Sequence, residues 1–153
     1  MKASKYLFVF SLWTISFLGS AQESKHLNLK DSLALDGYDL LSYFNSDTPV
    51  KGSEEFKFSY EAATYYFANK KNLEDFKNNP TKYKVVYGGW CANAMGENGD
   101  KVEVDPLTYK IKDGKLYLFY NKYFTNTLTK WEENEVELEK NANQNWQNLI
   151  QPK

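Results

Sequence analysis

The chain has 153 residues, of which 42% are hydrophobic and 25% charged, a composition typical of one globular domain and not of a disordered or coiled-coil chain. All 19 basic residues are lysines, so the chain lacks the guanidinium groups that read phosphates and base edges, and we expect no nucleic-acid partner. A single Cys and a single His exclude a disulfide framework and a zinc site built only from Cys and His.

The N-terminus has the pattern of an export signal. Two early lysines precede an almost uncharged apolar stretch from Tyr6 to Leu18, and small residues lead to a cleavage site after Ala21. The stretch of about 13 residues is short for a membrane span, which needs about 20. We therefore predict that residues 1–21 are a cleaved signal peptide, with an uncleaved anchor helix as the alternative. The mature chain is then periplasmic or extracellular and has no stable membrane anchor.

After the predicted cleavage site, the chain is expected to contain a polar lead-in, residues 22–32, and one domain, residues 33–150. The predicted elements are, in chain order, a short helix over 38–44, a hairpin of strands 56–60 and 64–67, a helix over 70–77 capped by Asn69, a helical turn or two over 90–95, a hairpin of strands 107–112 and 115–120 around Asp113-Gly114, and two C-terminal helical segments, the first with Phe124, Leu128 and Trp131 on one face.

These elements predict an α+β fold, in which a small antiparallel sheet from two hairpins packs with short helices and a helical C-terminus. No internal repeat is expected.

Cys91 is the first candidate for a functional site. If residues 90–95 are helical, Cys91 and Met95 lie four residues apart on one face, and a thiolate with a thioether suits a soft metal such as Cu(I). A third ligand would have to come from His26, a small molecule or another subunit, and the candidate metals are copper and zinc. The alternatives are a buried packing residue and a reactive or intermolecular thiol.

Aromatic residues are the second candidate. Tyr and Trp combine apolar faces with a polar group, as walls of ligand pockets do. We predict a small-molecule pocket around Tyr38, Asp39, Tyr87 and Trp90, with core packing as the alternative. The wider aromatic set that this hypothesis considers consists of Tyr38, Tyr43, Tyr65, Tyr66, Tyr87, Trp90, Tyr117 and Tyr120.

Three carboxylates define an enzymatic alternative. Asp36, Asp39 and Asp105 are available for acid/base chemistry, although each lies beside a glycine, a helix start or a proline, where Asp commonly serves as a turn or cap residue. The motifs of common hydrolases, metalloproteases and nucleotide-binding proteins are missing from the chain. A binding module is therefore favoured over an enzyme.

Several segments together resemble the exported YHS-domain proteins over about residues 33 to 148. They are Gly37-Tyr-Asp39, Tyr43-Phe44, Pro49-Val-Lys-Gly52, Tyr65-Tyr-Phe67, Asn79-Pro80 with Tyr83, Tyr87-Gly-Gly-Trp-Cys-Ala92, Asp105-Pro106 and Asp113-Gly-Lys-Leu-Tyr-Leu118.

The resemblance implies a small α+β domain and a family generally described as metal-binding. Metal-binding members typically place cysteines where this chain has Ala68 and Asn72, so only Cys91 carries over as a thiolate candidate. Together, the residues and the resemblance predict an exported, non-enzymatic module that binds a soft metal ion or a small molecule.

Overall fold

The computed structural model of the protein describes residues 25–151. The predicted signal peptide and the first residues of the polar lead-in lie outside the described residues. Within the described range, no helix has both the length and the apolar character that crossing a membrane requires.

The described chain folds into an α+β domain, which confirms the predicted class. The strands are β1 (Leu29–Lys30), β2 (Leu33–Ala34), β3 (Ser53–Tyr60), β4 (Ala63–Phe67), β5 (Lys84–Val85), β6 (Asp105–Lys112), β7 (Lys115–Phe119), β8 (Asn121–Lys122) and β9 (Thr125–Asn126). The helices are α1 (Ser42–Asn45), α2 (Lys70–Asn78), α3 (Ala92–Glu97), α4 (Thr127–Glu133) and α5 (Glu135–Ile150), and short 3₁₀ turns cover Leu35–Gly37, Pro80–Lys82 and Val86–Gly89.

Both predicted hairpins are present, and each belongs to its own sheet. One sheet has the strand order β1-β2-β4-β3 and the other β5-β7-β6, while β8 and β9 pair separately. The hairpin strands are antiparallel, and a two-residue strand adds in parallel to each: β2 to β4, and β5 to β7. The tight turns begin at Glu61 and Asp113, whose φ angles of 52° and 50° suit a two-residue connection.

The C-terminal segment begins differently from the prediction. Residues 121–126 form the β8–β9 hairpin, whose tip residues Tyr123 and Phe124 have positive φ. Helix α4 starts only at Thr127, where the side chain of Asn126 accepts a hydrogen bond from Leu128 N. Phe124 is therefore fully exposed, whereas Trp131 is buried as expected. The prediction that Phe124 shares a helix face with Leu128 and Trp131 is therefore wrong, because a hairpin turn separates Phe124 from the helix.

The two halves of the domain repeat one arrangement, which corrects the expectation that no repeat is present. In the first hairpin Ser53 pairs with Phe67, and in the second Asp105 pairs with Phe119; Phe67 and Phe119 are separated by 52 residues. The same separation relates the bulges, the turns and the parallel partners of both hairpins. The halves therefore share register as well as topology.

The turn before each short helix repeats in the same way. Residues 35–37 and 87–89 all have positive φ, and Tyr38 N donates to Leu35 O as Trp90 N donates to Tyr87 O. The next residue is Asp39 in the first half and Cys91 in the second. Asp39 N donates to Val50 O at 2.9 Å and Cys91 N to Val102 O at 3.0 Å, so the two residues are structural counterparts.

The halves stack in one direction. The inner face of β4 belongs to a core cluster that also contains Leu116 and Leu118, from the back face of β7. The inner face of β7, with Tyr117 and Phe119, packs instead against Trp131 of α4 and residues of α5. Helix α5 thus covers the exposed end of the stack, as a terminal cap does in repeat proteins.

Asp39 is expected to be essential for stability. Its buried carboxylate accepts hydrogen bonds from Leu41 N, Ala68 N and Asn72 Nδ2, at 2.8, 2.8 and 2.6 Å. Asp39→Asn places an amide donor against these donors and should lower the free energy of unfolding by about 2 kcal/mol. Urea unfolding measures this loss. Asp36→Asn, a matched change at an exposed carboxylate in the preceding turn, should change it by less than about 0.5 kcal/mol. Equal effects of the two substitutions would contradict the assignment.

Candidate functional site

A cavity of about 680 Å³ lies between the two halves, within the size range of small-molecule sites. Its walls come from three places: the inner face of the first hairpin with α2, the segment from Leu27 to Lys30, and the side of the second half that faces the first. The cavity is therefore a consequence of the stacking and belongs to neither half alone.

Aromatic rings form the first wall. The ring of Phe76, on α2, lies 5.3 Å from that of Tyr65 and 5.7 Å from that of Tyr60, measured between centroids, and 6.4 Å from that of Tyr83. Helix α2 is positioned by its Asn69 cap and by the bond from Asn72 to Asp39. The local sequence thus fixes where this wall lies.

The segment ahead of β1 forms the second wall. Asn28 N donates to Gly88 O at 2.8 Å, and Asn28 Nδ2 donates to Gly89 O at 3.1 Å. A Cβ at Gly88 would lie 2.6 Å from the carbonyl oxygen of His26, so only glycine allows this close approach. The predicted polar lead-in is therefore part of the fold, and its residues 27–30 line the cavity.

The third wall is apolar and belongs to the second half. Leu118, on the back face of β7, lines the cavity together with Val85 and Val104. Because side chains alternate along a strand, Leu118 faces the first half while its neighbour Tyr117 faces α5. This wall therefore presents apolar side chains to the cavity.

Charged residues lie among the lining residues, and their charges balance. Three are lysines and three are acids: Lys30, Lys84, Lys122, Asp36, Glu61 and Glu103. All six are exposed, as residues at a mouth are. Apolar and aromatic walls with a balanced charged edge suit a small organic molecule without a net charge.

Tyr65 is one of three tyrosines that line the cavity. Burial, with a smaller effect of the neighbouring Glu61 carboxylate, raises the pKa of Tyr65 to about 12, so its hydroxyl stays protonated at neutral pH. No group among residues 25–151 accepts a hydrogen bond from it. This hydroxyl is available to donate to a ligand.

The four residues predicted to bind a small molecule do not line this cavity. Tyr38 lies under Lys51, whose Nζ is 4.0 Å from the ring centroid. Tyr87 is buried, and its hydroxyl donates to Asn143 Oδ1 at 3.0 Å. Trp90 Nε1 donates to the carbonyl oxygen of His26 at 2.8 Å. Packing and hydrogen bonds engage these three side chains, and a small-molecule pocket around them stays a prediction of the sequence.

Asp39, the fourth of these residues, is fully buried and engaged in its three hydrogen bonds. Two of its donors, Ala68 and Asn72, are the residues at which the sequence resemblance leads us to expect the cysteines of metal-binding YHS domains. In this chain a carboxylate bonded to amide groups therefore takes the place that the resemblance assigns to a thiolate site.

Cys91 is completely buried, and its sulfur has protein partners. Sγ lies 3.4 Å from the Thr127 hydroxyl and accepts a hydrogen bond from Tyr120 N, also at 3.4 Å. Tyr120 follows β7 as Ala68 follows β4. The hydrogen bond from Tyr120 N to the Cys91 sulfur therefore corresponds to the one from Ala68 N to the Asp39 carboxylate. Cys91 also precedes α3 with non-helical angles, so the helix face predicted for Cys91 and Met95 does not include Cys91.

The predicted third metal ligand lies elsewhere on the surface of the second half. The ring of His26 packs edge-on against Trp146, with 6.3 Å between centroids, and burial together with Lys101 and Lys25 lowers its pKa. Within residues 25–151, no cluster of three or more His, Cys, Asp or Glu side chains is arranged to hold a metal ion. Metal binding by Cys91, Met95 and His26 stays a prediction of the sequence.

The other two candidate carboxylates act locally. Asp105 accepts hydrogen bonds from Leu107 N and the Thr108 hydroxyl, at 3.0 and 2.9 Å, and so stabilises the bulge at the start of β6. Asp36 is exposed in the positive-φ turn, at the edge of the cavity. Neither is paired with a second carboxylate or a base, so the geometry offers no acid/base couple among these residues.

The residues of the aromatic wall were only partly identified from the sequence. Tyr65 belongs to the aromatic set considered there, whereas Tyr60, Phe76 and Tyr83 do not. The signal for Tyr60 was the period-two alternation of β3, which puts Phe56, Phe58 and Tyr60 on one face.

No protein-family model, curated protein or solved structure matches this chain.

The burial of Cys91 makes its thiol a direct test of this geometry. We expect Ellman's reagent to label the native chain at least about a hundredfold more slowly than the same chain in concentrated urea, because labelling needs a local opening. A Cys91→Ala variant should give no signal in either condition. Fast, stoichiometric labelling of the native chain would show an open thiol and restore Cys91 as the leading metal-site candidate.

Proposed function

We propose that this chain is an exported, non-enzymatic binding module of the YHS type that holds a small, largely apolar organic molecule between its two halves. The observation that carries the proposal is the cavity of about 680 Å³, whose walls include apolar and aromatic side chains and the tyrosine Tyr65. The predicted signal peptide supports export, and the sequence resemblance supports the family.

The build of the cavity supports binding rather than catalysis. Its walls come from the rings around Phe76, the apolar residues of the second half and the segment from Leu27 to Lys30. Asp39, one of the three candidate carboxylates, and Cys91, the candidate thiolate, both form hydrogen bonds outside the cavity. A site with these walls offers shape and apolar surface, which are the means by which a carrier or sensor holds a ligand.

The proposal is tested by filling the cavity. The neutral fluorophore N-phenyl-1-naphthylamine should bind the purified chain with an increase in emission. Ala63 and Ala34 are buried and line the cavity. Ala63→Phe and Ala34→Phe therefore each place a ring in the cavity from a different position. Each ring occupies space that the fluorophore needs, so we expect at least about a tenfold weaker affinity.

The matched control is Thr64→Phe, which places the same ring on the opposite face of β4. It should bind the fluorophore like the parent chain, and circular dichroism confirms that each variant is folded. No binding by the parent chain, or equal binding by folded Ala63→Phe, Ala34→Phe and Thr64→Phe variants, would refute the proposed site.

A further inference from the structure

The repeat relates Tyr65, which lines the cavity, to Tyr117, whose hydroxyl has a hydrogen-bond acceptor in the structure. Tyr65 and Tyr117 are counterparts, since both stand two positions before the end of the second hairpin strand, at Phe67 and Phe119. Both also have an aromatic ring from the following helix against them, Phe76 at 5.3 Å and Trp131 at 5.8 Å between centroids. The two tyrosines therefore hold equivalent positions in the repeat, and each lies beside an aromatic ring of the following helix.

Their hydroxyl groups have different environments. Tyr117 donates a hydrogen bond of 2.6 Å to the carboxylate of Glu139, on α5. Tyr65 faces the cavity, and none of the described groups accepts a hydrogen bond from it. The second half thus supplies from its own chain an acceptor that the first half lacks.

The surroundings of the cavity decide the charge of the missing acceptor. At Tyr117 the carboxylate of Glu139 is balanced by Lys112, whose Nζ lies 2.7 Å from it. The counterpart of Lys112 in the first half is the uncharged Tyr60, and the next residue, Glu61, places a carboxylate at the same end of the cavity. An anionic ligand would be repelled by Glu61, and the six charged lining residues have no net positive charge to offset this, so the acceptor that suits this position is neutral.

We propose that the ligand of the cavity is a neutral, largely apolar molecule whose carbonyl, ether or ring-nitrogen acceptor takes a hydrogen bond from the hydroxyl of Tyr65. The inference rests on the proposed function, since it names the chemistry of the molecule that the cavity holds. Tyr65 is then the residue that determines specificity, and Phe76, Leu118 and the other apolar residues supply the remaining contacts.

The test uses three probes of one shape, each competing with N-phenyl-1-naphthylamine: 2-acetylnaphthalene, which carries a neutral acceptor, 2-ethylnaphthalene, which has none, and 2-naphthoate, which is an anion. The parent chain should bind 2-acetylnaphthalene about threefold to tenfold more tightly than 2-ethylnaphthalene, as one net hydrogen bond predicts. It should bind 2-naphthoate more weakly than 2-acetylnaphthalene.

Tyr65→Phe removes only the hydroxyl. It should abolish the preference for 2-acetylnaphthalene and leave the affinity for 2-ethylnaphthalene unchanged, a result that general damage to the fold would not produce. The matched control is Tyr66→Phe, on the opposite face of β4, which should keep the preference.

The outcomes separate the two proposals. If neither the fluorophore nor any probe binds, the proposed function fails. If the fluorophore binds but the acetyl and ethyl probes are equivalent, or if Tyr65→Phe keeps the preference, the role of Tyr65 is wrong while the cavity remains a binding site. Tightest binding of 2-naphthoate would overturn the requirement for a neutral acceptor.

Discussion

The buried carboxylate of Asp39 joins three parts of the first half that are distant in the sequence. It accepts hydrogen bonds from Leu41 before α1, Ala68 after β4 and Asn72 on α2. A buried carboxylate is stable only when such bonds satisfy it, so the three parts must stay together. This contact holds α2 against the hairpin, and the position of Phe76, and with it the aromatic wall of the cavity, depends on it.

The second half performs the same task with weaker groups. Cys91 accepts one backbone hydrogen bond from Tyr120, and α5 adds contacts that the first half does not have, such as the bond from Asn145 Nδ2 to Met95 O at 2.9 Å. The first half has the back face of β7 as its cover, and the second has α5. A cavity arises at the first of these junctions because the back face presents side chains such as Leu118 that do not fill the space before Tyr65.

Local chemistry predicted the local elements well. The Asn69 cap, the Asp113-Gly114 turn and the alternation of residues 56–60 each indicate an element that the structure contains. The repeat is not evident from the sequence because few positions are identical between the halves. Asp39 of the first half, for example, corresponds to Cys91 of the second. The cavity could not be predicted for a different reason. It depends on the two-residue parallel strands β2 and β5 and on the packing of one sheet on the other, and neither leaves a periodic pattern in the sequence. Cys91 therefore stood out in the sequence as a lone thiol, although its surroundings in the fold are those of a core residue.

The central claim is that the space between the halves is the binding site, and amide chemical shifts of the isotope-labelled chain test it most directly. Titration with N-phenyl-1-naphthylamine should shift the amide signals of Ala63, Tyr65 and Leu118, on the facing strands of the two halves. The exposed tip of the β8–β9 hairpin, at Tyr123 and Phe124, offers the alternative of nonspecific contact with an aromatic surface. Shifts confined to that tip, with Ala63, Tyr65 and Leu118 unchanged, would contradict the account.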